Sequence, residues 1–283
     1  MSYRRKHVKS KIYKIRPKKS IFTKPWFWIV FLFLAIVLSV FYFFLFFPGI
    51  QAKNIVISGN QKSARQDIEN LISAGINNKI LGIGNWEVNS KSIFLVDSDK
   101  LARQILNKFP IVENVKIGKK LPQTLIVNIT EREPVGVYCP ADNNCFFIDQ
   151  TGIIFESLPA VPDNFTVVRQ VINNEQIFVG EKVVQQNIMD LLLKVEKNLK
   201  DNFQINLTEA LVTSPLRLDL STNENWKIYF DLSPDADFNS QLIKLNSLLG
   251  GGISAGERKN LRYINLIPKD RAIICDNKTC EGR

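Results

Sequence analysis

Histidine is almost missing from this 283-residue chain: His7 is the single one. Everything downstream therefore lacks the imidazole of a nucleophilic triad, a Cys–His dyad or a His-ligated metal site. No S-x-x-K sequence occurs, which tells against serine chemistry of the penicillin-binding type. No Walker loop occurs either, and Leu81-Gly82-Ile83-Gly84-Asn85-Trp86 fails as a G-x-G-x-x-G because position 87 is Glu87. The sequence points to no cofactor, no catalytic residue, no metal site and no small-molecule substrate. Acidic residues are missing from positions 1–25, which carry ten cations: Arg4, Arg5, Lys6, Lys9, Lys11, Lys14, Arg16, Lys18, Lys19 and Lys24. With ten of the 37 Lys and Arg in that tail, the rest balances the 27 acids. The net charge of +10 belongs to the tail, and the body is not a nucleic-acid-binding surface.

What is abundant is apolar length. Residues 26–47, WFWIVFLFLAIVLSVFYFFLFF, hold no charge. As a helix they reach about 33 Å, enough for the hydrocarbon layer. A cleavable signal has a shorter apolar core and a small-residue site, and Phe47-Pro48-Gly49 offers none, so a retained transmembrane helix is expected. Ten cations before the span and only Lys53 soon after it predict a cytoplasmic tail, near anionic lipid, and an extracytoplasmic body.

The body begins with KNIVISG over 53–59, an alternating strand that ends in a Gly59-Asn60 turn. Ser63 reads as the N-cap of a helix over 64–74. Residues 75–92, rich in Gly and Asn, read as a flexible loop. Trp86 within it suits an anchor into the core or a partner contact. A second helix over 99–109 stops at Pro110, and strands follow at 112–117 and 124–130. Strand, helix, helix, strand, strand is the economical way to cover one face of a small sheet. After Pro134 come short strands at 135–138, 145–149, 152–156 and 165–172. A long helix over 183–199 follows, then strands at 208–213, 216–220 and 226–232. A helix over 237–249 and strands at 261–267 and 271–275 complete the chain. The expected fold class is α+β.

Cys139 and Cys145 bracket one turn-rich segment, and Cys275 and Cys280 bracket another. Two local disulfides are the favoured reading. A four-thiolate zinc site and reduced thiols are the rivals. Glu131 and Glu133 share a strand face and could mimic a hydrolase dyad. Arg132 lies between them, and Pro134 after them cannot donate to a ladder and marks a change of direction.

Ile55-Val56-Ile57-Ser58-Gly59-Asn60, Pro110-Ile111-Val112-Glu113-Asn114-Val115, Leu121-Pro122-Gln123-Thr124-Leu125-Ile126-Val127-Asn128-Ile129, Glu131-Arg132-Glu133-Pro134-Val135 and Phe147-Ile148-Asp149-Gln150-Thr151-Gly152-Ile153-Ile154-Phe155 form a series. It resembles the FtsQ/DivIB family of bacterial cell-division proteins, specifically over about residues 50–156. The resemblance implies a basic cytoplasmic tail (1–25), a transmembrane helix (26–47), a POTRA domain of β-α-α-β-β order (50–133) and a mixed β domain with two helices (134–283). The resemblance alone implies a domain junction at Glu131-Arg132-Glu133-Pro134. It implies a non-enzymatic scaffold at the division septum that binds FtsB/DivIC-like and FtsL-like bitopic proteins by strand addition. The candidate edge is Arg271-Ala272-Ile273-Ile274, approached through Ile267. The rival for that edge is a terminal strand blunted by Lys269, Asp270 and Arg271. Two other functions stay open: a membrane-anchored glycan hydrolase, and a POTRA-type module of another envelope assembly or export process. The chain departs from the family pattern in the polar stretch 77–92. It departs again at Ile264-Asn265-Leu266-Ile267, where charged positions are lost.

Overall fold

A computed structural model describes residues 24–83, 86–140, 144–171, 177–277 and 280. Several expected features lie outside them: the basic tail up to residue 23, positions 84–85 of the Gly-rich stretch, residue 172, and 141–143 and 278–279 between the cysteines.

Pro25–Phe46 forms α1, 22 residues without a charge. Pro25 at its first turn sacrifices no bond, because that N–H would lack an intrahelical partner anyway. Of its side chains only Leu45 is buried. By length and composition α1 can cross a membrane.

The chain gathers into two compact units, and the first holds α1, residues 76–96 and residues 120–124. Within it β2 (Asn78–Ile83) and β3 (Trp86–Ser90) pair antiparallel, Asn78 opposite Ser90 and Ile83 opposite Trp86. This corrects the expected flexible loop over 75–92. Two short apolar runs flank Gly84-Asn85, a two-residue hairpin signal that the surrounding polar residues obscured. Beyond the hairpin the segments 50–52 and 91–93 run side by side: the Ala52 N–H donates to the Lys91 carbonyl and the Ile93 N–H to the Ile50 carbonyl, each at 2.9 Å.

The second unit holds residues 55–75, 97–119 and 125 onward. Strands β1 (Asn54–Ser58), β4 (Val112–Lys120) and β5 (Thr124–Glu131) form a sheet in the order β1-β5-β4. In β5, Leu125, Val127 and Ile129 are buried at the two-residue strand period, and Ile57 of β1 and Val112 and Val115 of β4 are buried as well. Helices α2 (Arg65–Gly75) and α3 (Ser98–Lys108) bury Ile68 with Ile72 and Leu101 with Ile105, the four-residue spacing of a helix face. The Asp97 carboxylate caps α3 by accepting the Lys100 N–H at 2.9 Å. Ser63 does not cap α2 as expected. Ala64 offers the first helical carbonyl, and the Ser63 hydroxyl donates to Glu131.

After Pro134 nine strands build one mixed sheet: β6 (Gly136–Tyr138), β7 (Cys145–Ile148), β8 (Ile154–Leu158), β9 (Val167–Gln170), β10 (Leu207–Ser214), β11 (Arg217–Thr222), β12 (Lys227–Asp231), β13 (Leu261–Asn265) and β14 (Ile273–Asp276). Their order is β14-β13-β12-β11-β10-β9-β6-β7-β8. β9 with β10 and β12 with β13 are parallel. A parallel pair needs a crossover, and α4 (Gln186–Phe203) and α5 (Phe238–Ser247) lie within those two connections. Leu191, Val195 and Leu245 from these helices share a core with Leu218, Leu220, Ile228 and Phe230. A short α6 (Ala255–Arg258) precedes β13. The α+β organisation read from the sequence therefore holds: one N-terminal apolar helix, a β-α-α-β-β element set interrupted by a hairpin, and a β-rich region with two principal helices.

Gly59 is required where it stands. Its φ is +85°, and an added Cβ would lie 2.0 Å from the Ile129 carbonyl oxygen. Gly118, by contrast, has open space, with Ile126 O at 4.0 Å from such a Cβ. Gly59→Ala is expected to cost about 1–3 kcal/mol. Gly118→Ala is expected to be neutral or to stabilise by about 0.5–1 kcal/mol. Urea unfolding of the full chain in detergent, followed by intrinsic fluorescence, measures both.

Candidate functional site

Residues 132–135 link β5 to β6. Arg132 donates its backbone N–H to the Ile111 carbonyl at 2.8 Å, and Val135 donates to Ile148 at 3.0 Å. Pro134 stands between these two ladder bonds, where a missing donor costs nothing. The Arg132 side chain reaches both ways: its Nε donates to the Pro110 carbonyl at 3.0 Å, and Nη1 pairs with the Asp149 carboxylate. Asp149 is only 2% exposed. Its Oδ1 accepts the Thr151 N–H at 2.9 Å, the Thr151 hydroxyl at 2.7 Å and the Ile153 N–H at 2.9 Å. Burial pushes this carboxyl up, but those donors and the Arg132 charge outweigh burial and hold it below the usual Asp value.

Glu131 does not form a working dyad with Glu133. Its carboxylate accepts the N–H groups of Gln61 (3.0 Å), Lys62 (2.9 Å) and Ser63 (2.9 Å) together with the Ser63 hydroxyl. Burial raises its pKa, and the Ser63 hydroxyl with the three N–H bonds lowers it further than burial raises it. Glu131 thereby fixes the turn after β1, while Glu133 is exposed. Lys62 from the same turn pairs with Glu156 of β8 at 2.9 Å.

At the far end of the nine-stranded sheet lies β14. It pairs with β13, Ile264 opposite Ile274 and Asn265 opposite Ile273, and among the described residues no strand pairs with its other edge. Ile273 is 43% exposed and Ile274 is 37% exposed, and successive strand residues point to opposite faces. The edge thus offers an apolar side chain on each face of the sheet. Arg271 and Ala272 precede the strand, Arg271 exposed and Ala272 packed against the core. Ile267 lies in the connection, its N–H donating to the Asn265 side chain at 3.0 Å.

That connection is pinned. The Lys244 ammonium of α5 donates to the carbonyls of Leu266 (3.3 Å), Pro268 (2.7 Å) and Lys269 (3.4 Å). Lys269 pairs with Asp235. On the outer face beside the edge, Tyr229 and Tyr263 lie 5.0 Å apart between ring centroids. The Arg217 guanidinium sits 4.2 Å over Tyr229 and forks onto Asp219 at 2.6 and 3.0 Å. This ladder escaped the sequence reading. The alternation in Arg217-Leu218-Asp219 and Lys227-Ile228-Tyr229 was visible, but the register that joins them is a tertiary property.

The cysteines stand in two local pairs. The sulfurs of Cys139 and Cys145 are 2.03 Å apart, with Cα atoms at 4.3 Å. The Cα atoms of Cys275 and Cys280 are 5.7 Å apart. The second pair begins within β14, at Cys275.

Residues 51–132 match the profile of the POTRA domain, FtsQ-type. The cell division protein FtsQ of Rickettsia felis is 25% identical over 194 residues, which span 64% of this chain and 66% of that protein. FtsQ of Novosphingobium aromaticivorans is 33% identical over 93 residues (33% of this chain, 27% of that one). DivIB of Clostridium acetobutylicum is 34% identical over 84 residues (28% and 33%). Even the longest of these matches spans just under two thirds of the relative's own length. Fold and match together define a POTRA-bearing protein with one N-terminal apolar helix and a β-rich region behind the POTRA domain. Within that class, the FtsQ-type POTRA match and the relatives named FtsQ and DivIB support assignment to the FtsQ/DivIB family.

Removing one partner of a buried pair leaves the other charge uncompensated, so Arg132→Ala is expected to cost about 3–5 kcal/mol. Because the Asp149 carboxyl is held low in the folded chain, its contribution is present above the unfolded Asp value of about 4 and fades as pH falls below that. Chemical unfolding of the full chain at neutral pH and at mildly acid pH checks both. Wild type is expected to lose stability on acidification, and Asp149→Asn is expected to flatten that loss.

Proposed function

We propose that this chain is a single-pass scaffold of the bacterial division complex, with no enzymatic activity. α1 is the membrane span, residues 1–25 are a cytoplasmic tail against anionic lipid, and the body faces outward, at the septum. Residues 50–133 act as the POTRA domain and 134–283 as a β domain. The partners are bitopic division proteins of the FtsB/DivIC and FtsL type. Both cysteine pairs are oxidised in that compartment.

The observation that carries this reading is the open β14 edge, with Ile273 and Ile274 exposed on opposite faces of the sheet. An exposed apolar edge, even a short one, is open to pairing with another strand. Here the flanking charge does not blunt it fully, since Lys269 is already engaged by Asp235. A partner strand would gain main-chain hydrogen bonds along β14 and apolar contacts on both faces. The pinning of residues 266–269 by Lys244 keeps the edge in place before the partner arrives, which reduces the ordering cost of association.

Ile273→Pro removes one backbone donor and blocks strand addition. Co-purification of the full chain with its bitopic partners from crosslinked membranes is expected to fail for this variant and to persist for Ile273→Val. Undiminished capture by a folded Ile273→Pro chain would contradict the edge reading.

A further inference from the structure

The end of α1 is tied by hydrogen bonds to the rest of its own compact unit. A helix leaves its last four carbonyls without intrahelical donors. In α1 all four are answered. Phe43 O accepts the Phe47 N–H at 3.0 Å, and Phe46 O accepts the Gln51 side-chain amide at 3.3 Å. Phe44 O accepts the Ser92 hydroxyl at 2.8 Å and Leu45 O the Ser90 hydroxyl at 2.5 Å. Ser90 and Ser92 are buried at 2% and 0% exposure. Lys91 lies between them, so its backbone is held within one residue, about 3.3 Å of extended chain, of two side chains bonded to the last turn. The Lys91 side chain is exposed.

Two more exposed lysines join the same network. The Lys91 carbonyl accepts the Ala52 N–H at 2.9 Å, and Lys53 follows Ala52. The Lys53 N–H donates to the Gln123 carbonyl at 3.0 Å. The Gln123 side-chain amide donates at 3.3 Å to the carbonyl of Pro48, just past α1. Lys120 opens the segment 120–124 that carries Gln123. Among the described residues, none of these three ammonium groups pairs with a carboxylate. Past α1 the unit holds Lys53, Lys79, Lys91 and Lys120 against Glu87 as its one acid. The chain beyond the tail is neutral as a whole, so this cationic excess is matched by an acidic excess in the second unit. Apolar side chains stand exposed beside the lysines in sequence: Leu121 after Lys120, and Phe94 and Leu95 shortly after Lys91. The Phe94 ring meets the Phe44 ring of α1 edge-on at 5.6 Å.

We propose that Lys53, Lys91 and Lys120 form a collar at the end of α1 that binds the phosphate headgroups of anionic phospholipids, in the leaflet opposite the basic tail. The occupant is lipid because of where α1 ends. Its 22 residues reach about 33 Å, the thickness of the hydrocarbon layer, so groups tied to its last turn stand where headgroup phosphates begin. A lysine there lays its apolar stem along the acyl boundary and keeps its ammonium at the phosphates. Each such lysine strengthens attachment to an anionic surface by roughly fivefold. The collar adds to what the span already supplies: it selects which lipid surrounds the end of α1.

The proposal rests on the reading of α1 as a membrane span, and the test separates the two. The full chain is placed in nanodiscs of phosphatidylcholine, alone or mixed with phosphatidylglycerol. A neutral acylating reagent labels its lysines, and mass spectrometry of the peptides gives the rate at each. Acylation of Lys53, Lys91 and Lys120 is expected to slow about threefold or more in the anionic discs. High salt is expected to remove most of that slowing. Lys197 and Lys259, exposed in the acid-rich second unit, are expected to react at one rate in both kinds of disc. Unchanged rates at the three lysines, or equal slowing at Lys197 and Lys259, would overturn the collar. So would equal slowing by inorganic phosphate in phosphatidylcholine discs, which would make the lysines a site for free anions. Brominated phosphatidylcholine tests the span by itself. It is expected to quench Trp26 and Trp28, scored as the quenching lost in a chain with Trp26→Phe and Trp28→Phe. Absence of that quenching would overturn the span, and the collar with it.

Discussion

The structure turns on one buried guanidinium. Arg132 leaves the end of the POTRA sheet and must satisfy its charge in a place where water does not reach it freely. Asp149 must do the same, at 2% exposure. Each solves the other's problem, and the remaining lone pairs of Asp149 go to Thr151 and Ile153 while Arg132 Nε goes to Pro110. A buried pair of this kind adds little net stability over a well-packed apolar substitute, but half of it is intolerable. Its value is geometric: it fixes where the chain departs from one sheet and enters the next. Glu131 and Lys62 reinforce the same corner, one through the turn after β1 and one through β8.

From that corner the nine-stranded sheet runs to β14. Recognition through main-chain pairing needs an open strand edge, and among the described residues no strand pairs with the outer edge of β14. The edge is short, exposes one isoleucine on each face, and is entered through a connection held by Lys244. The Arg217–Tyr229–Tyr263 ladder makes the adjoining outer surface rigid, because a cation stacked over one ring and forked onto Asp219 leaves little rotamer freedom. In the other unit, the Ser90 and Ser92 hydroxyls donate to the Leu45 and Phe44 carbonyls at the end of α1, which answers the same difficulty of unpaired backbone polarity.

Much of this was legible from residues alone, and the reasons are local. The apolar helix α1 is a composition signal. The helices α2 and α3 and the strands β4 and β5 follow from periodicity, with Pro110 as the stop after α3. Pro134 read as a change of direction because it cannot donate to a ladder, while the junction at residues 131–134 came from the family resemblance. The hairpin β2–β3 was misread because glycine and asparagine dominate its ends, so its two apolar runs fell below the length at which alternation is convincing. Ser63 was misread for a different reason. As a cap it competes with a distant acceptor, Glu131, 68 positions away in sequence, and such long-range competition leaves no local mark. The partner of Arg132 was equally invisible, since Asp149 sits in what reads as an ordinary Asp–Gln–Thr–Gly turn.

The account stands on recognition by main-chain pairing at the terminal strand. Hydrogen–deuterium exchange of the full chain, alone and in complex with its bitopic division partners, addresses that claim at the bonds in question. The amides of Ile273–Asp276 that β13 does not already hold are expected to exchange freely in the isolated chain and to become protected in the complex. If the complex forms while those amides exchange at an unchanged rate, the edge is not where partners bind, and the account is contradicted.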